Sequence, residues 1–235
     1  MRYALHAEWT KVRTVPGTVW LVGVTVAITV SVGAMAAGTA STDRVRAALA
    51  GVYAGQAVVA VLAVTAMAGE YGTGMIRTSL TAVPRRHLVL AAKAAVLTAV
   101  TTATGAAAVG GSLLAARLPP TEGATLRAAT GTVLYLVLIA LLGLGAATAV
   151  RDSAAAVAVV FGVLYALPVL GRLVTDDTWQ RRLQRAEPMT AGLLVQHTTD
   201  VASLPLPPWA GLGVLAAWAA AALLGGGLLL RLRDA

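Results

Sequence analysis

The stretch AATGTVLYLVLIALLGLGAATAV, Ala128 to Val150, contains no charged residue. At a helical rise of about 1.5 Å per residue it is long enough to cross a hydrocarbon core of about 30 Å. It is far longer than a β-strand and lacks the in–out alternation of a barrel strand. Five more runs of this kind flank it. Together they place spans at about 18–37, 47–68, 89–116, 128–150, 153–171 and 209–230, with the charges falling between them. The prediction is an all-α integral membrane protein, a single transmembrane domain over residues 1–235, with six transmembrane helices.

Composition agrees. Of 235 residues, 58% are hydrophobic and 12% charged, about half the charged share of a soluble domain. Mean hydropathy is +0.79. A water-soluble globule this apolar could not cover its own surface. The net charge of +8 would raise nucleic acid as a partner in a soluble protein. Here the basic residues flank apolar runs, and the lipid bilayer is the partner they imply. With no cysteine, thiolate chemistry and sulfur-ligated metals are excluded.

Even-numbered spans put both termini on one side. That side carries ten basic residues (Arg2, Lys11, Arg13, Arg77, Arg85, Arg86, Lys93, Arg151, Arg231 and Arg233), and the other carries the remaining eight. The positive-inside rule favours cytoplasmic termini. The first apolar run is longer than a secretory core and about seventeen residues precede it, so it reads as a retained span.

Energy-coupling and catalytic motifs are missing. Neither Lys11 nor Lys93 sits in a phosphate-binding Gly-x-x-x-x-Gly-Lys-Ser/Thr loop. The spans carry no central Asp, Glu or His to relay protons. No zinc-binding His-Glu-x-x-His helix or Gly-x-Ser-x-Gly elbow occurs. Asp176–Asp177 reads as a solvated turn, and His197 with Asp200 as a structural pair at helical spacing. The chain is therefore not expected to be an enzyme, to bind a cofactor or to hold a metal.

Two polar segments stand out. In residues 1–16, Leu5, Trp9 and Val12 recur at helical spacing, with Glu8, Lys11 and Arg13 turned largely away. This predicts an amphipathic interfacial helix anchored by Trp9 and Trp20. In residues 70–88, Gly72 and Gly74 punctuate the exit from the second span. Ile76, Leu80 and Val83 form a short apolar stripe, Pro84 ends the helix, and Arg85 and Arg86 follow. By its residues this is either a docking helix for a soluble partner or a polar loop with a basic membrane anchor. Lys93 is expected to snorkel to the interface.

The string GEYGTGMIRTSLTAVPRR, Gly69 to Arg86, followed by LAAK at Leu90–Lys93, resembles the signature of type-2 ABC transporter permeases. HAEWTKVRT (His6–Thr14), PPWAGLGVLAAWAA (Pro207–Ala220) and the final RLRDA resemble further pieces of that family, in order along the chain. The chain departs from the pattern at Gly69, where Ser is common, and at His87 after the double arginine. The resemblance implies a bacterial plasma-membrane protein with both termini cytoplasmic and a coupling helix seated in a separate ABC ATP-binding subunit. It assigns that coupling to Glu70, Tyr71, Gly74, Ile76, Arg77, Leu80, Pro84, Arg85 and Arg86, beside the interfacial Glu8, Trp9 and Lys11. It implies a second permease half, identical or not, and ATP bound only by the partner. The link 172–208 is then extracellular and holds short re-entrant helices around 193–195 and 204–208.

Gly51-x-x-x-Gly55 is a candidate contact between the two halves. Glu70 would hold the coupling joint by pairing with Arg77, Arg85 or the N-terminal helix, or would be a solvated interfacial acid. Thr98, Thr101, Thr102 and Thr104 suggest a path for an amphipathic or hydrophobic cargo, unless they bond their own helix. The expected function is export by an ATP-driven permease. The alternative is a non-transporting scaffold, sensor or immunity subunit.

Overall fold

Each break between the apolar runs has a local cause. A computed structural model describes residues 2–82, 86–119, 122–173 and 176–232, with backbone only at 2, 3, 77, 79, 80, 82, 177 and 181. Helix α1 (Arg2–Thr14) stops at Val15, which is extended as residues before proline prefer, and Pro16 opens α2 (Pro16–Thr39) where its missing N–H costs nothing. Asp43 caps α3 (Arg44–Leu49) by accepting the Arg46 N–H at 2.9 Å. After a turn at Ala50–Gly51, α4 (Val52–Gly72) completes the second span. Gly74, at φ +71°, turns the chain into α5 (Met75–Ala82).

Helix α6 (Arg86–Ala115) closes with Arg117 at φ 56° and a Leu118 N–H to Leu113 carbonyl bond of 2.9 Å. Arg151, at φ 64°, ends α7 (Gly123–Val150). Asp152 then caps α8 (Ser153–Phe161) through the Ala155 N–H at 2.7 Å. A two-residue connection thus suffices to reverse the chain. The fifth span widens into a π-turn at Gly162–Ala166 before α9 (Leu167–Arg172). Pro168 in that segment has no N–H for the helical ladder, and the wider turn accommodates its ring. Helices α10 (Asp177–Ala186) and α11 (Pro188–Gly192) and 3₁₀ turns at Leu193–Gln196 and Val201–Ser203 lead to α12 (Pro208–Leu232).

Among the described residues there is no strand, and six helical stretches are long and apolar enough to cross a membrane. The protein is a multi-pass all-α membrane protein. The end that carries α1, α5 and the end of α12 is called the terminal end below, and the other the far end.

Helix α7 is the centre. Tyr135, Leu136, Ile139, Ala140 and Leu144 are fully buried against α4, α6 and α12. Lipid is as apolar as leucine, so close approach rather than water exclusion holds such helices together. A β-carbon on Gly145 would lie 2.4 Å from the Ala222 backbone of α12. By contrast, only 17% of the apolar window of α2 is buried, against 61% for α7. Trp20 and Met35 on α2, and Leu224 and Leu228 on α12, form part of the outer apolar surface.

Three expectations change. Gly51 and Gly55 do not offer a contact to a second half, because both pack on α2 of the same chain. A β-carbon at Gly51 would stand 2.0 Å from the Thr29 carbonyl oxygen, and one at Gly55 2.2 Å from the Thr29 hydroxyl oxygen. Within the 172–208 link, residues 191–196 are buried inside the far end of the bundle, but 204–207 form no helix. Proline at 205 and 207 removes two N–H donors there. His197 and Asp200 share no helix either: Asp200 is left-handed (φ 49°) and His197 follows the end of a 3₁₀ turn.

Candidate functional site

Four charged side chains from three elements meet at the terminal end. Glu8 and Lys11 lie three residues apart on α1, and Glu70 lies in the last turn of α4. Lys93 sits two turns into α6. Lys93 Nζ donates to Glu8 Oε2 at 2.6 Å, to Glu70 Oε1 at 2.7 Å and to the Ala66 carbonyl at 3.0 Å. All three ammonium protons are used. Lys11 Nζ donates to Glu8 Oε1 at 2.8 Å and to Glu70 Oε1 at 2.7 Å, closing a ring. Glu70 Oε2 is buried and accepts no hydrogen bond among the described residues.

Lys93 is 3% exposed, and Glu8 and Glu70 are each 7% exposed. An isolated charge at such depth is several kcal/mol unfavourable, roughly. Two cations and two anions in mutual contact remove the net charge, and the hydrogen bonds replace water. Lys11 lies at the rim. Burial works against its charge, but its hydrogen bonds to Glu70 and Glu8, with their negative charge, outweigh that and raise its pKa. Beside the ring lies a cavity of about 420 Å³, lined by Lys11, Glu70, Val12, Leu21, Thr65 and Met75 among others.

This arrangement corrects two expectations. Lys93 does not snorkel to the interface, because it has three acceptors within reach inside the bundle. Glu8 and Lys11 do not turn away from the packed side of α1. Ala4 and Glu8 face the bundle, and Trp9 is 44% exposed. The face of α1 that packs is the one that brings Glu8 and Lys11 to the counter-charges on α4 and α6. Glu70 finds its partner on the N-terminal helix, one of the three expected sources, and also on Lys93.

The remaining predicted residues divide. Tyr71 is half-buried, its ring 5.4 Å from the Arg151 guanidinium. Gly74 supplies the pivot into α5, and Ile76 is buried against the bundle. Arg77 and Leu80 lie on α5 with their side chains outside the described residues, as are Pro84 and Arg85 entirely. Arg86 donates to the Leu230 carbonyl at 2.8 Å, holding the start of α6 to the end of α12. Of the threonines in α6, Thr102 and Thr104 donate to Thr98 and Val100 carbonyls of their own helix at 2.7 and 2.8 Å.

Sequence reasoning missed a second polar centre toward the far end. The Tyr135 hydroxyl donates to Gln56 Oε1, and Gln56 Nε2 contacts Met189 Sδ at 3.2 Å. Gln196 Nε2 donates to Thr132 Oγ1 at 3.3 Å. The isolated glutamine in an otherwise apolar second span was the available signal. Asp43 fastens the 197–200 loop, accepting the Thr198 N–H at 2.9 Å and its hydroxyl at 2.7 Å. Burial opposes its charge, yet the hydrogen bonds from Arg46, Thr198 and Thr199 lower its pKa. Burial and then the Arg46 charge lower the pKa of His197. No group of three metal-binding side chains occurs among the described residues.

Compared with known proteins, the chain matches no family model and no curated protein.

Proposed function

We propose that this chain is the membrane-spanning permease of an ATP-driven exporter of the type-2 ABC class. It lies in a bacterial plasma membrane with cytoplasmic termini and works with a second permease half and a separate ATP-binding subunit. The observation that carries the reading is α5. An eight-residue helix leaves the second span through the Gly74 pivot, outside all six spans, at the end where the termini lie. A short helix in that place gives a soluble subunit a rigid lever on the bundle. The string Gly69–Arg86, which carries the family resemblance, covers this element. An apolar or amphipathic cargo suits the apolar spans; Thr102 and Thr104, bonded within their own helix, add nothing to that choice.

The test is co-expression with a P-loop ATPase encoded beside this chain. The ATPase is expected to co-purify with the wild-type permease and to be lost with Arg85→Glu, while membrane insertion is retained. Arg85 is the residue to change, since Arg86 also holds α12. An ATPase that ignores the wild-type chain, or binds Arg85→Glu equally well, overturns the reading in favour of a scaffold, sensor or immunity subunit.

A further inference from the structure

An amphipathic anchor hides its charges from the protein and offers its apolar stripe to lipid or bundle. Helix α1 does something else. Its buried Glu8 and the half-buried Lys11 carry opposite charges and complete a ring whose other half belongs to α4 and α6. Trp9 stays 44% exposed, and Leu5 and Trp9 only border a shallow groove against Ala95 and Ala99 of α6. Charge pairing therefore joins apolar contact in seating α1. The same ring contains Glu70, four residues before the Gly74 pivot of α5.

We propose that Lys93 is the positioning residue of a charge-fastened joint. It locks α1 and the start of the third span to the last turns of α4, from which α5 departs at Gly74, so that a displacement passed from α5 to α4 moves all three as one body. Three features support this. Both lysines contact both carboxylates, but among the described residues Lys93 adds a backbone carbonyl of α4 and is the more deeply buried, which makes it the hub. All its donors are used in fixed directions, so it resists rotation as well as separation. The ring is neutral overall, so the joint can move inside a low-dielectric bundle without carrying net charge. The joint's part in transport rests on the function proposed above; its part in holding α1 does not.

The experiment separates these. The chain contains no cysteine, so the pair Leu5→Cys with Ala99→Cys reports α1 docking alone, through its cross-linking rate in the full-length protein. The joint is removed with Glu70→Gln plus Lys93→Met, which deletes one charge of each sign and leaves Glu8 and Lys11 balanced. A merely structural need for neutrality is met by this variant. The cross-linking rate is expected to fall about tenfold, with Lys93→Arg retaining the wild-type rate. A fall of less than about threefold in the neutral variant overturns the fastening.

In the second arm the cross-link is followed in the complex with the ATPase. ATP is expected to change the rate in the wild type and not in the neutral variant. An ATP response that persists in the variant, or is absent from an intact wild-type complex, overturns transmission through the joint. Failure of the wild type to bind the ATPase removes the proposed function and leaves the first arm to decide the fastening.

Discussion

Replacing Lys93 by Met keeps the length and apolar stem of the side chain and removes its charge. The ammonium lost is 3% exposed and makes three hydrogen bonds, two of them to carboxylates. Glu8 and Glu70 are then left with Lys11 alone, a buried group carrying one excess negative charge. Breaking a buried ion pair on one side costs about 3–5 kcal/mol, because the orphaned charge stays behind. Lys11 is 29% exposed in its side chain and already touches both carboxylates, so it compensates in part and the lower half of that range applies. On the scale of about 2–4 °C per kcal/mol for chains of this size, the midpoint should drop by about 6–16 °C. The assay is thermal unfolding in mild detergent at one fixed scan rate, since such proteins often unfold irreversibly. Adding Glu70→Gln restores neutrality and should recover more than half of the loss. A single variant melting within about 2 °C of wild type, or a double variant losing the sum of the two single losses, would show that the four charges are not energetically coupled.

Gly55→Leu should destabilise by about 3 kcal/mol or more and can prevent accumulation in the membrane, because even its β-carbon would stand 2.2 Å from the Thr29 hydroxyl; the same change at Gly213, which has open space around it, is the control. Tyr135→Phe removes the donor to Gln56 inside the bundle and should cost about 1–3 kcal/mol, read from the same thermal assay. Acidification should loosen the far-end loop that Asp43 holds. His197 has a folded pKa below its ordinary 6.5 and Asp43 one below its ordinary 3.8. The unfolded chain therefore takes up protons first, and stability falls as pH drops below about 6.5 and again below about 4. Protease cleavage in 197–207 as a function of pH measures this, and Asp43→Asn should flatten the lower step.

Much of the bundle was legible from residue order. A charge-free run of bilayer length has few alternatives to a helix, because each backbone polar group must find its partner inside the segment. The six long apolar helices begin and end within about five residues of the expected limits, and Gly74, expected to punctuate the exit from the second, has a positive φ there. The candidate site was only half legible. Glu8 and Lys11 stand out in the sequence as polar residues of an amphipathic N-terminal helix and Glu70 as an acid at the base of the second span, whereas the expected snorkelling of Lys93 places it in the wrong environment. One-dimensional reasoning gives a lysine near a span end the default of reaching for water, and it cannot know that two carboxylates from other helices stand closer.

Sequence alone thus determined the helical class, the number of long apolar helices and their approximate limits. These depend on interactions within about twenty residues, namely backbone hydrogen bonding and solvent preference. Tertiary structure decided which face of α1 packs, where Lys93 points, that Gly51 and Gly55 serve α2 of the same chain, and that 191–196 enters the bundle. Those outcomes depend on pairs separated by tens of residues, such as Glu8 with Lys93 and Asp43 with Thr198. Their energies exist only once the helices are side by side.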